Sequence, residues 1–413
     1  MLPKFRFRDE NSKLQAPSPR FSAPHSKLAK MSTVEPILVQ GIGAVSPAGW
    51  GVPALREALA KGEPLPAKEL ARPGWARPLR VRAVPPPSSR PDFITHPRLR
   101  RTSPVTQYAV AAALEALGDD VARVGNGSLR LGIVLCVMTG CVNYSRRFYD
   151  ETLNDPATAS PLVFPETVFN APASHLAALL GTTAINYTLV GDPGTFLHGL
   201  ALAADWLFGE RVDGCIVIGT EETDWLTADA YRLFARRIVL SEGAGALYLR
   251  HAEQPAPGAS AGASQRSEVS GQFPSQERSG MVSASSSITG ANSNRPTVQL
   301  YCVTSAHLFS CKQSRAQAAK RMRAELPAGK QKHLLCDGIQ SLDNIDAEER
   351  EAWQSWPGAR LSLKMFLGEG LAAASAWQCV AAIDALRQGK YPAATVSVLG
   401  CNQQAIGAHF VIL

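Results

Sequence analysis

The sequence predicts an α/β fold, a sheet with helices packed on both faces, and three observations carry that expectation. Short and almost wholly apolar runs, such as LRLGIVLCV from Leu129 to Val137, alternate with segments whose Ala, Val and Leu recur at helical spacing. Glycine-rich turns separate one kind of run from the next. Over 413 residues, a composition 45% hydrophobic and 19% charged is that of an ordinary globular protein, large enough for a two-part core.

Residues 1–35 are expected to form a disordered leader. Its first 30 residues hold seven Lys or Arg against Asp9 and Glu10. A targeting peptide fits this basic, Ser- and Pro-containing stretch, but the apolar region of a secretory signal is absent. Met31, just before the first strand, fits an initiation site assigned too far upstream. Order begins at Pro36, where ILVQGIGAVSPAGWG is a buried strand, a glycine turn and the entry to a helix from Val52 to Ala60. The Pro-rich residues 64–90 read as irregular. TSPVTQYAVAAALEAL, Thr102 to Leu117, is a helix, and Leu129 to Val137 a strand. A helix end at Ser174 to Gly181 and a strand at Thr183 to Gly191 follow. Helix Thr195 to Phe208, strand Gly214 to Gly219 and helix Asp224 to Ala235 complete an N-terminal half, residues 36–252. Near-continuous apolar strands between helices predict a mainly parallel sheet.

Residues 253–297 are rich in Ser, Gly, Ala, Gln and Pro and hold hardly any aliphatic side chain, so they are expected to be a flexible insertion. The alternation then resumes as a C-terminal half, residues 298–413. Its elements are strand Val298 to Ser305, helix Ser314 to Glu325, strand His333 to Cys336, and helices Ala347 to Gln354 and Glu369 to Leu386. Strands near Thr395 to Leu399 and Ala408 to Leu413 close the chain. The halves invite the idea of a duplication, but no sequence repeat demonstrates one.

Several function classes are disfavoured at once. No run of eighteen apolar residues is present, so no membrane span is expected. The net charge of +7 resides mostly in the leader: outside residues 1–30 there are 35 basic and 33 acidic residues, without a basic stretch interleaved with aromatics. Nucleic acid is therefore not an expected partner. The eight cysteines are scattered, never spaced CxxC, and mostly embedded in apolar runs. They read as reduced, buried thiols of a cytoplasmic protein, with no metal site and no cofactor expected.

The stretch LVGDPGTFLHGL, Leu189 to Leu200, ends an apolar strand at a tight turn and launches a helix apolar around nearly its whole circumference. Such a helix belongs at the centre of a fold. Its free N–H groups and macrodipole suit a nucleophile or an oxyanion, which is where an enzyme keeps a reactive cysteine.

Five pieces in order resemble the β-ketoacyl-ACP synthases of the thiolase superfamily. They are ILVQGIGAVSPAGWG, TSPVTQYAVAAALEAL, the strand, turn and helix at 183–208, DGCIVIGTEE and LSEGAGALYL. The resemblance is close over residues 36–250 and weak beyond. It implies a thiolase-like fold, two similar halves in five αβαβα layers. The family's chemistry uses a cysteine at the start of the buried helix and two histidines. Counted back from Glu221, the cysteine position falls on Pro193, with Asp192 or Gly194 in neighbouring registers, so no thiol stands there. Proline also removes the backbone N–H that serves the oxyanion hole in these enzymes. Asp337 stands for the first histidine and Glu369 for the second, in LKMFLGEGLAAASAW, where Lys364 is retained. Carboxylates in place of imidazoles disfavour malonyl decarboxylation.

Other residues carry two readings. Asp337 and Glu369 near Lys364 form either a new acid–base site or partnered structural charges, the second being the commoner use. Cys401, in a Gly-Cys-Asn turn, matches the second cysteine of thiolases or is a small packed residue. His198 reads as a satisfied core histidine pointing away from the turn, and Cys141 as packing. Phe164, Phe169 and Asn170 line an acyl tunnel or anchor a loop, and Tyr187 lies on the strand that in the family pairs across the dimer two-fold. The loop between IGTEE and SEGAGAL is shorter than the family's gating segment. Arg146, Arg147 and Arg236 are available cations for a carrier protein.

The resemblance as a whole implies a non-condensing subunit of the chain-length-factor type. Its expected partners are an active ketosynthase, in a heterodimer, and an acyl carrier protein bearing the growing chain of a fatty acid or polyketide (polyene). Two alternatives stay open: an active synthase or acyltransferase with a non-standard nucleophile, and a carrier-protein-binding scaffold.

Overall fold

The computed structural model describes residues 35–183, 185–252, 296–401 and 403–413. The expected leader and insertion lie outside the described residues but for their flanking positions.

Strands β1 (Ile37–Ser46), β2 (Leu131–Val137), β3 (Asn186–Val190), β4 (Gly214–Glu221) and β5 (Gly243–His251) pair in the order β3-β2-β4-β5-β1. Strands β6 (Val298–Val303), β7 (Leu334–Cys336), β8 (Ala359–Leu361), β9 (Ala393–Leu399) and β10 (Gln404–Ile412) pair in the order β8-β7-β9-β10-β6. Counted from the start of each half, the two orders are the same. A short antiparallel ladder, Leu38 with Gln299 and Val39 with Val298, joins β1 to β6. The duplication that no sequence repeat reveals is therefore explicit in the topology.

The sheet is mixed, which corrects the expectation of a mainly parallel one. In each half two ladders are parallel and two antiparallel. Continuous apolar runs report burial on both faces, and an antiparallel strand in a central layer earns them as readily as a parallel one. Between β9 and β10 the connection is too short for any crossover, so that pair is necessarily antiparallel.

The helices form the remaining layers. Helices α1 (Val52–Lys61), α2 (Pro104–Leu117), α3 (Val142–Asn154) and α4 (Ala171–Leu179) precede β3; α5 (Thr195–Phe208) and α6 (Trp225–Phe234) flank β4. Helices α7 (Lys312–Glu325), α8 (Asp343–Ala352) and α9 (Ala372–Arg387) belong to the second half. α2 and α4 pack together on the first half-sheet and α7 and α8 on the second, while α5 and α9 touch each other and strands of both halves. The layers read α, β, α, β, α. In α9 every residue but Ala385 and Arg387 is buried, as a helix enclosed between two sheets requires. Close approach is secured by glycine: a Cβ at Gly43 of β1 would lie 1.9 Å from the Ala112 carbonyl oxygen of α2. One at Gly219 of β4 would lie 2.4 Å from that of Ala372 in α9.

Three local expectations are corrected. The Pro-rich stretch is not wholly irregular: Lys68–Leu70 pairs with Leu79–Arg82, which pairs in turn with Leu240–Ser241 in a small sheet. The buried side chains of Leu79 and Val81 alternate with exposed Arg80, which is the strand signal there. The helix expected from Glu369 begins only at Ala372, because Gly368 at φ +91° and Leu371 at φ +53° break the path. Cys311 is exposed rather than buried, capping α7, while Cys302 and Cys401 are half-buried. Among the described residues no helix is long and apolar enough to cross a membrane.

Candidate functional site

The turn after β3 places Pro193 buried at the entrance to the central helix α5. Beside it, Asp192 is buried and its Oδ1 accepts hydrogen bonds from the Gly194 N–H (3.0 Å) and from Gln404 Nε2 (2.7 Å). Burial pushes this carboxyl up, against those donors. The other end of Gln404, Oε1, lies 2.7 Å from His198 Nε2. His198 is thus satisfied, as expected, yet it is tied to the turn through Gln404 rather than removed from it. Sequence reasoning missed this chain of three, since the 206 residues between His198 and Gln404 hide the pairing.

Glycine lets the 400–404 turn close on the same place, because a Cβ at Gly400 would lie 1.9 Å from Asp192 Oδ2. Cys401 follows directly. Its thiol is hydrogen-bonded to the Tyr231 hydroxyl, and burial, reinforced by the charges of Asp192 and Glu369, pushes it up to about 11. It remains protonated near neutral pH, so it is no ready nucleophile. Cys141, buried at the start of α3 with its thiol pushed to about 12, is packing as expected.

Asp337 and Glu369, expected at the histidine positions, are held as ion pairs. Asp337 ends β7, wholly buried, and its Oδ2 accepts from Arg360 Nε (3.0 Å) and Nη2 (2.8 Å) while Oδ1 accepts from the Ser362 hydroxyl (2.6 Å). Glu369 lies 2.7 Å from Lys364 Nζ, both buried, and also accepts from Gln340 Nε2 (2.8 Å) and the Leu371 N–H (2.9 Å). Arg360, absent from the sequence reading, is the missing partner. Behind them Glu349, fully buried near Asp337, accepts from the Ser397 hydroxyl (2.5 Å) and the Gly338 N–H (3.1 Å). Desolvation, then the Asp337 charge, push it up to about 7. At the end of β4, Glu221 accepts from Met138 and Thr139 and is likewise raised to about 7 by burial.

The connection after α6 is stitched over this place. The Glu369 N–H donates to the Val239 carbonyl (3.0 Å), and the Ser241 N–H to that of Glu369 (2.9 Å). The structure therefore brings Pro193, Cys401, Lys364 and Glu369 into one buried neighbourhood, while Asp337 is held in its own pair with Arg360. What it assembles there is a set of ion pairs and hydrogen bonds, with Asp192 Oδ2 left buried without a hydrogen-bond partner among the described residues. A thiolate, or an imidazole beside one, is not among them. No cluster of potential metal ligands is found among the described residues.

The remaining predicted residues lie elsewhere, on an apolar surface. Among the described residues β3 pairs with β2 alone and so leaves an open edge, on which Tyr187 and Val190 are 54% and 56% exposed. Phe164, exposed too, meets Phe148 of α3 at 5.3 Å between ring centres, and Phe169 covers Gly140, where a Cβ would overlap its ring at 2.4 Å. Asn170 is exposed at the start of α4. Arg146 and Arg147 are not free cations: they pair with Asp224 (2.7 Å) and Glu151 (2.9 Å).

The sequence matches no protein-family model and no curated protein. Solved structures are similar over nearly the whole chain. A β-ketoacyl synthase from Burkholderia phymatum STM815 superposes with a TM-score of 0.69 at 15% identity, covering 92% of this chain and 100% of that one. The chain has the thiolase-like fold of the ketosynthases. The same holds against the ishigamide ketosynthase/chain length factor, with a TM-score of 0.65, 18% identity and coverage of 92% and 99%. A type II PKS ketosynthase, solved in complex with its acyl-carrier protein and bound to the hexaketide, gives 0.67, 15%, 92% and 100%. In this ketosynthase-like chain the central α5 and α9 and the duplicated half-sheets are thus the shared frame, and the expected fold is borne out.

Proposed function

We propose that this chain is a non-condensing, ketosynthase-like subunit of the chain-length-factor type, which pairs with an active β-ketoacyl-ACP synthase and shapes the cavity holding its growing acyl or polyketide chain. The observation that carries this reading is Pro193 at the start of α5. In this reading a ring nitrogen and an apolar ring stand where acyl transfer would need a sulfur and a donating amide. The ion pairs of Asp337 and Glu369 support it, since each carboxylate is committed to a cation and offers no proton to an enolate.

The partner surface in this reading is the open edge of β3, with exposed Tyr187 and Val190 beside Leu162, Phe164 and Phe169. An apolar edge of this kind is a liability unless covered, and pairing it with a companion's edge strand satisfies its backbone as well as its side chains. Phe164, Phe169 and Asn170 then face the shared cavity. Exposed Arg98, Arg100 and Arg101, just before α2, offer cations to an acidic carrier protein.

The test is to produce the chain alone and together with any ketosynthase and carrier protein that its neighbouring genes encode, then treat both with cerulenin and with acyl-loaded carrier protein. Label on the companion only, in a stable heterodimer that Val190→Asp abolishes, is the expected result. Label on this chain, above all at Cys401, refutes the reading in favour of an active synthase. Carrier-protein binding without a heterodimer refutes it in favour of a scaffold.

A further inference from the structure

A second opening lies away from the turn, between α1 and α9, with the ends of β7 and β8 at its floor. It is a cleft of about 190 Å³, walled by Leu55, Leu59, Val380, Ala385 and Tyr391 among its apolar side chains. Its charged lining is one-sided: Arg56, Arg360 and Lys390 against the single carboxylate of Asp384. Asp384 is fully engaged, accepting from Arg56 Nε (2.8 Å) and Nη2 (2.6 Å) and from Gln388 Nε2 (2.5 Å). Arg360 is turned toward Asp337. Lys390 is exposed and stands in no ion pair among the described residues.

We propose that this cleft binds a short apolar carboxylate, its chain between α1 and α9 and its anionic head on Lys390. Size permits it: an apolar cavity of about 150 Å³ holds a benzene ring, so a short aliphatic chain fits in this one. Burying that chain provides the affinity, and the unmatched cation at the mouth selects an anion over a neutral molecule of the same length. Nothing in this depends on a partner subunit, because neither the edge strand nor the turn at Pro193 contributes a residue to the lining.

The experiment is calorimetric titration of the full-length chain with sodium hexanoate, 1-hexanol and sodium acetate, each also followed by thermal melting. The expected result is saturable binding of one hexanoate, 1-hexanol weaker by roughly fivefold for want of the ion pair, and no binding of acetate. Lys390→Glu should weaken hexanoate by at least that factor and leave 1-hexanol unchanged. Ala385→Leu, which fills the cleft, should abolish binding of both while the unliganded melting temperature is kept or raised, which separates filling from unfolding. Absence of saturable hexanoate binding, equal affinity for hexanoate and 1-hexanol, or binding that survives Ala385→Leu in a folded protein overturns the proposal.

Discussion

Replacing Lys364 by Met leaves Glu369 buried without its cation, and the structure sets the scale of the loss. The pair is 2.7 Å apart with both side chains almost wholly buried. Removing one member of such a pair typically costs about 3–5 kcal/mol, because the survivor is an uncompensated charge in a low dielectric. Glu369 retains two neutral donors, Gln340 Nε2 at 2.8 Å and the Leu371 N–H at 2.9 Å, so the lower end, about 3 kcal/mol, is expected. That is a large share of the roughly 5–15 kcal/mol that holds a domain folded. Urea unfolding at pH 7 reads it directly. The loss should be partly recovered in Lys364→Met/Glu369→Gln, whose amide oxygen can accept from the Leu371 N–H while its NH2 donates to the Gln340 side chain once that amide is flipped. The coupling from the double-mutant cycle should be about 2 kcal/mol or more. If Lys364→Met costs under about 1 kcal/mol, or the double variant is as unstable as the summed singles, the pair is not the structural unit described here.

Under the proposed function, Pro193→Cys alone should support no condensation, because Asp337 and Glu369, each committed to a cation, would stand where decarboxylation uses imidazoles; single-turnover assays with carrier-bound malonyl groups check this, and measurable product contradicts it. Stability should fall as the pH rises from about 5 to 8. Burial raises Glu221, Glu222 and Glu349 from 4.5 to about 7 in the folded chain, so their contribution is complete below 4.5 and is lost as pH climbs through 7. His409, lowered by burial to about 4, and His333, also lowered by burial, act oppositely below pH 6.5, but two imidazoles are outweighed by three carboxyls. A urea midpoint that is flat or higher at pH 8 removes this account. Gly43→Ala should cost about 2–4 kcal/mol, measured as a lower urea midpoint, since its methyl would overlap the Ala112 carbonyl oxygen; a neutral change would mean that β1 and α2 can separate freely.

Much of the frame was legible beforehand. The apolar run at 129–137, the uniformly apolar helix from Thr195 and the Gly-Asp-Pro-Gly break between strand and helix are local patterns, and local sterics and burial enforce them wherever they occur. Position 193 was equally readable, because proline's missing N–H is a covalent property that no tertiary contact restores. Strand direction was not readable, since apolar runs report burial on both faces and say nothing of the neighbour's polarity. Nor was the duplication: two half-sheets of one strand order are built from dissimilar residues, and packing accepts any side chains of suitable volume.

The partners of the buried charges belong wholly to the tertiary level. Arg360 reaches Asp337 across 23 positions and Gln404 reaches Asp192 across 212, and nothing local marks either pairing. The sequence by itself determined that residue 193 carries no backbone N–H, a matter of covalent chemistry; folding decided which charges and donors meet, because the packed interior, poor in water, penalises those left apart.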